Sequence, residues 1–199
     1  PFFNAEAPAP LMDIYTNNKT ITKRAAMVIN LKGGCAMEIV QPTSVVPQLP
    51  AVVHHLGDLG IFITQVKTPN IQKVYSHHKD NGVKILSEII KTPAGEDTFY
   101  IEDNSGLIFQ YIEHGEWFTS TPHVSGGTMG TTIGVSDIEK SLELYSDILQ
   151  YDKVIYDETG VFDDWASLPG GNQKYRRVLL GKSTPQGGGF AKVMGETFI

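Results

Sequence analysis

Two side chains of this 199-residue chain combine useful chemistry with a repeated position. Glu38 stands in CAMEIVQP between Met37 and Ile39. Strand alternation puts its carboxylate on the face opposite those apolar neighbours. On an inward sheet face a carboxylate needs a cation or hydrogen-bond donors, and it can then hold a metal or move a proton. On an outward face it is simply solvated. Gln110 follows Gly106 at the same interval by which Glu38 follows Gly34. An amide is a weak metal donor, but it can hydrogen-bond a substrate. Phe162 and Trp165 lie in GVFDDWASLPGGNQKY, a long loop. Aromatic residues on such a loop either close a pocket or pack on the nearest sheet edge.

Other reactive residues carry less. His54-His55 lies beside a loop and His77-His78 on a helix. Adjacent helical residues point about 100° apart and cannot both face one ion, so these pairs read as solvated. Cys35 has no placed base to activate it. Gly187-Gly188-Gly189 lacks the Lys-Ser/Thr of a phosphate loop.

These residues need elements to hold them, and Leu59 to Glu113 supplies the clearest set. LGIFITQV reads as a strand. Thr68-Pro69 suits an N-cap and first helical position, Ile71, Val74 and His78 keep helical spacing, and Asn81-Gly82 stops the helix. VKILSEII reads as the next strand. Thr98–Glu102 and Leu107–Glu113 flank Asp103-Asn104-Ser105-Gly106, a hairpin signal. The unit is βαβββ.

The pattern recurs with a period of roughly 70 residues. TTIGV and SDIEKSLELYSDIL repeat the strand and helix, with Ser136 and Glu139 as a capping box and Ile138, Leu142, Tyr145 and Leu149 on one face. Upstream, Thr22–Leu31 and Cys35–Gln41 repeat the hairpin around Lys32-Gly33-Gly34. Asn17-Asn18-Lys19 reads as a turn. Val45–Pro50 and Trp117–Gly127 read as linkers. The expected organisation is a partial first module over 1–48, a complete second over 49–118 and a third over 119–199. Counting one period back from Val66 falls before residue 1, and the last strand of the third copy runs to Ile199. We therefore expect a fragment of a longer protein with four modules.

GIFITQV, TIGVSDIEKSLELYSDIL, EDNSGLIFQYIE and GGCAMEIVQP together resemble the vicinal oxygen chelate superfamily: glyoxalase I, bleomycin-resistance proteins and extradiol dioxygenases. The resemblance covers most of the chain. It implies an α+β fold of repeated βαβββ modules pairing into open half-barrel sheets. It also implies a divalent metal between paired modules, held by residues of the first and last strands, with Glu38 as metal ligand or catalytic carboxylate. Gln110 takes the equivalent place in the central module. Ile61 stands where a first-strand donor is expected, and the third last-strand position falls at or just past Ile199. Pairing of the first and second modules is expected to bring Glu38 and Gln110 into one groove, with no tightly bound metal at that pair.

Composition limits the partners. The net charge of −6 and pI near 5.5 argue against nucleic acid. One cysteine excludes an internal disulfide framework and fits a reducing, cytoplasmic compartment. No apolar run is long enough for a membrane span. The expected partner is a small molecule, with a homodimer as an admissible assembly. The resemblance implies a glyoxalase-like lyase or isomerase, metal-assisted if further segments supply ligands. The alternatives are a metal-free small-molecule binding or resistance protein of the same superfamily, or a dioxygenase.

Overall fold

The computed structural model describes residues 3–33, 35–48, 51–115, 117–183 and 195–198. Strands β1 (Phe3–Pro8), β2 (Thr22–Asn30) and β3 (Cys35–Pro42) form a small antiparallel sheet. Asn17 and Asn18 carry the connection into β2 with φ of 55° and 57°, a region asparagine tolerates. The main sheet has nine strands. β4 (Gly60–Thr68) leads through helix α1 (Ile71–Asp80) to short β5 (Lys84–Ile85) and β6 (Ile90–Lys91), then to β7 (Asp97–Glu102) and β8 (Ile108–Glu113). β9 (Thr128–Gly134) leads through α2 (Ile138–Leu142) to β10 (Lys153–Gly160), β11 (Tyr175–Gly181) and β12 (Gly195–Phe198).

Each unit runs its first strand parallel to its last, β4 beside β8 and β9 beside β12. The units join through antiparallel β4 and β9, with Ile63 opposite Thr132. The sheet order is β10-β11-β12-β9-β4-β8-β7-β5, with β6 on β7. The expected βαβββ repeat in open sheets is therefore observed. The second module pairs with the third rather than with the first. β4 is flanked by β8 and β9, so both of its edges are taken and the β1–β3 sheet stands apart from it.

Alternation divides the side chains of the main sheet. Val66, Phe99, Ile101 and Tyr111 pack with Ile71 and Val74 of α1. Val178 and Leu180 pack with Ile133, Ile138 and Leu142 under α2. Ile63, Tyr100 and Ile108 take the other, concave face, where Phe162, Trp165 and Leu168 cover them. Fully burying each such large apolar side chain stabilises by about 1.5–3 kcal/mol.

Local chemistry fixes the ends of these elements. Asp103 Oδ1 accepts from the amides of Ser105 (2.8 Å) and Leu107 (2.9 Å). Gly106 then turns with φ 83°, which glycine alone adopts without strain. Helix α1 is capped by Asn70, which accepts from the Lys73 amide at 2.8 Å, and not by Thr68. Thr68 instead donates to the Val124 carbonyl at 2.7 Å. Asp137 caps α2 in place of the expected Ser136. Beyond Leu142 the helix widens to a π-helical turn over Glu143–Ile148. That extra residue per turn rotates Leu149 off the apolar face, and Tyr151 packs there instead.

The expected linker 117–127 is docked rather than free. The Gly126 amide donates to the Lys67 carbonyl at 2.7 Å, and the Lys67 amide to the Gly127 carbonyl at 3.0 Å. Lys32, at the tip of the β2–β3 hairpin, lies over the Trp117 ring at 5.2 Å. A Cβ on Gly33 would lie 1.3 Å from the Gly126 carbonyl oxygen, so this hairpin needs glycine to approach the strap.

Candidate functional site

The groove on the concave side is built where β4 and β8 face β10 and β11. Gln65 and Gln110 sit opposite each other in the β4–β8 ladder. The Gln65 amide Nε2 donates to Gln110 Oε1 at 3.1 Å. Both are buried, at 3% and 1% exposure. Gln110 Nε2 is itself a buried donor with no partner. From the opposite wall, Tyr156 and Arg177 reach the same cavity, with Thr92 and Glu96 at its rim. The free volume is about 110 Å3, enough for only a few non-hydrogen atoms. A register shift between Val154 and Tyr156 lets the consecutive residues Ile155 and Tyr156 both line the groove, as a β-bulge re-aims side chains.

Arg177 is anchored from behind. Its Nη1 donates to both oxygens of Asp164 at 2.9 Å, with both side chains at 2% exposure. The guanidinium lies 3.9 Å from the centre of the Trp165 ring and 5.2 Å from that of Phe162. Tyr100 donates its hydroxyl to Asp164 Oδ2 at 3.1 Å. Burial, with the Asp164 charge adding to it, holds the Tyr100 phenol well above its ordinary pKa. Burial likewise raises Tyr156, partly offset by Arg177. Arg177 Nε remains a buried donor without a partner. Burial also raises the Glu96 carboxyl above the usual carboxylate range, against a smaller opposing effect from Thr92.

The main sheet has counterparts among solved structures. A mutant of glyoxalase I from Zea mays matches with a TM-score of 0.54 and 16% identity, covering 98% of this chain and 58% of that one. A Bacillus subtilis protein described provisionally as a dioxygenase matches with a TM-score of 0.54 and 16% identity, covering 88% and 50%. Glyoxalase I from Zea mays itself gives 0.52 and 17%, covering 88% and 53%. The fold is that shared by glyoxalase I and these dioxygenase-like proteins. This chain spans between half and three-fifths of the length of those structures. No family model matches it, and no curated protein matches it at a significant level.

The structure separates the residues that the sequence put together. Glu38 lies exposed on β3, opposite Met27 of β2. Its neighbours Ala36 and Met37 line a different cavity with Thr128 of β9, and Glu38 itself lines none of the described cavities. Glu38 and Gln110 share none of the described cavities, because the first module does not close the groove. Phe162 and Trp165 lie under the concave face with Tyr100 and Ile63 and do not line the groove. They touch it only through Arg177. Ile61 is 72% exposed at the start of β4, and the inward polar residue of that strand is Gln65. The position at or just past Ile199 and Gly187-Gly188-Gly189 lie outside the described residues, as does the side chain of Cys35.

Gln65, Arg177, Asp164 and Glu96 were not singled out from sequence. Gln65 had a readable signal, an amide following Ile61 and Ile63 on one strand face. Arg177, between an arginine and Val178, had a comparable one. Glu96 sits in a turn and had none. Among the described residues no three His, Cys, Asp or Glu side chains converge as a metal set. The groove's own donors fit a divalent cation poorly. Glu96 and His114 line the groove, but only these two side chains of ligand type meet there, beside two mutually bonded amides and a guanidinium whose charge opposes a second cation. The set suits a ligand with acceptor oxygens. No helix among the described residues is long and apolar enough to cross a membrane.

Proposed function

We propose that the groove between the second and third modules binds a small, oxygen-bearing molecule and moves a proton on it, as a glyoxalase-like lyase or isomerase would. One observation carries this reading. Gln110 Nε2 and Arg177 Nε are buried donors without partners, and both residues line one groove with Glu96. An unpaired buried donor costs about 1–3 kcal/mol, which an acceptor oxygen would relieve. In this reading a substrate carbonyl oxygen accepts from Gln110 and Arg177. The Glu96 carboxylate takes a proton from the carbon beside that carbonyl, and the resulting enolate oxygen is held by the same donors. On a substrate with a hydroxyl at the deprotonated carbon, Glu96 then returns the proton to the former carbonyl carbon while that hydroxyl passes its own proton to the enolate oxygen, so the carbonyl moves by one carbon. Its raised pKa makes the carboxylate a stronger base than an exposed glutamate. The 110 Å3 volume restricts the reacting part to a fragment the size of a hydroxy ketone.

Hydroxyacetone in deuterium oxide tests this directly. The expected result is saturable exchange of its carbon-bound protons, lost in Glu96→Gln and weakened in Gln110→Leu. Exchange equal to that in buffer, or unaffected by Glu96→Gln, overturns the catalytic reading. Saturable binding without exchange would favour the metal-free binding protein, since paired amides and a tethered arginine can hold a ligand without chemistry. Absence of binding would remove both.

A further inference from the structure

A larger cavity lies on the helix-covered side of the sheet and shares no lining residue with the groove. Its volume is about 640 Å3, well inside the range of small-molecule sites. Three segments wall it: the end of β2, the second half of α1, and the strap at 121–125. The strap is fixed in place. Lys32 Nζ donates to the carbonyls of Thr121 (2.9 Å) and His123 (2.8 Å), and Asn30 Nδ2 donates to that of Ser125 (3.3 Å). The strap is therefore fastened to the end of the β2–β3 hairpin through its own backbone carbonyls.

Ile29, Leu31, Val74 and Val124 make the lining largely apolar, and none of the lining residues is Asp, Glu, Lys or Arg. Among the polar residues that also line the cavity, two atoms stand out. His78 Nε2 and Thr121 Oγ1 are both buried and both lack a hydrogen-bond partner. Buried polar atoms are almost always paired, so two orphans lining one cavity ask for an occupant. The His78 ring is held against Tyr111, with ring centres 4.8 Å apart and planes tilted by 58°, so an aromatic edge is fixed at the cavity wall. Burial, and to a lesser degree His77, lowers the His78 pKa from its ordinary value.

We propose that this cavity is a second small-molecule site, which takes an uncharged hydroxylated aromatic ring. The ring lies against the apolar wall. Its hydroxyl donates to His78 Nε2 and accepts from Thr121 Oγ1, so both orphans are satisfied at once. A charged ligand is disfavoured, because no Asp, Glu, Lys or Arg lines the cavity to hold it.

Phenol is the probe, titrated into the protein with the His78 imidazole nitrogens followed by NMR. The expected result is a saturable shift of His78 Nε2. Affinity falls about tenfold in His78→Phe and in Thr121→Val, the loss of roughly one buried hydrogen bond. Gln110→Leu leaves phenol affinity unchanged, which separates this site from the groove. Circular dichroism melts identify variants that do not fold. If His78→Phe is one of them, Thr121→Val decides alone. A non-saturating shift, or folded variants that bind phenol as the parent does, overturns the proposal.

Discussion

Asp164→Ala isolates what holds Arg177 in the groove wall. The substitution removes both acceptors of Nη1 and the acceptor of the Tyr100 hydroxyl, all at 2.9–3.1 Å. It leaves a guanidinium at 2% exposure with no counter-charge. Breaking a buried pair from one side costs about 3–5 kcal/mol, because the remaining charge stays desolvated. The orphaned Tyr100 hydroxyl lies within that range rather than beyond it, since an alanine-sized space can admit water. A urea slope of about 2 kcal/mol per molar is ordinary for a small protein. The midpoint should then fall by about 2 M with the slope unchanged. The same loss is a large part of a typical total stability of about 5–15 kcal/mol.

The double variant Asp164→Leu/Arg177→Met sharpens the test. It removes both charges and fills similar volume, so it should recover most of the lost stability. Arg177→Met alone should also destabilise, because it strands the Asp164 carboxylate and removes the stack on Trp165. With Asp164→Leu as the second single variant, a double-mutant cycle then gives a coupling of at least about 1 kcal/mol. If Asp164→Ala shifts the midpoint by less than about 0.5 M (~1 kcal/mol on that slope), water reaches the pair. Arg177 would then not be the rigid groove wall that the proposed function needs.

Three further outcomes follow from the same geometry. Burial raises the Glu96 pKa, so the folded state binds this proton more tightly than the unfolded state. Glu96 therefore favours folding at pH below its unfolded value near 4.5, and this contribution is lost as pH rises through the folded value. Urea midpoints should show Glu96→Gln more stable than the parent at about pH 7 and no different at about pH 3.5 or below. For His78 the sign reverses. Its lowered pKa contributes stability above the unfolded value of 6.5 that is lost as pH falls through the folded value, and His78→Phe should flatten that part of the pH–stability profile. Gly33→Ala puts a methyl group 1.3 Å from the Gly126 carbonyl oxygen, and backbone cannot yield that far. It should cost about 1–3 kcal/mol and speed amide exchange over 117–127.

The repeat was legible because alternation and turn chemistry are local. GIFITQV, the Asp103–Gly106 turn and the helix over Ile71–Asp80 are each specified by residues within a few positions of one another. The site was less legible because it depends on which modules meet. The fixed interval from hairpin glycine to last-strand residue put Glu38 and Gln110 at matching positions on their own strands. That interval says nothing about which first strands share an edge. Once β4 pairs with β9, the residue facing Gln110 comes from β11, and it is Arg177 instead of Glu38. The loop at 161–174 was open to two readings. Its aromatic residues turned inward because the concave face of a half-barrel offers apolar surface at Ile63, Tyr100 and Ile108 that nothing else covers. By covering that part of the concave face they leave only a small, polar groove beside it, with a buried charge pair between the two. The third module thus supplies the anchored arginine and the plug that positions it, while the second supplies the amides. Neither module alone holds a complete set of donors.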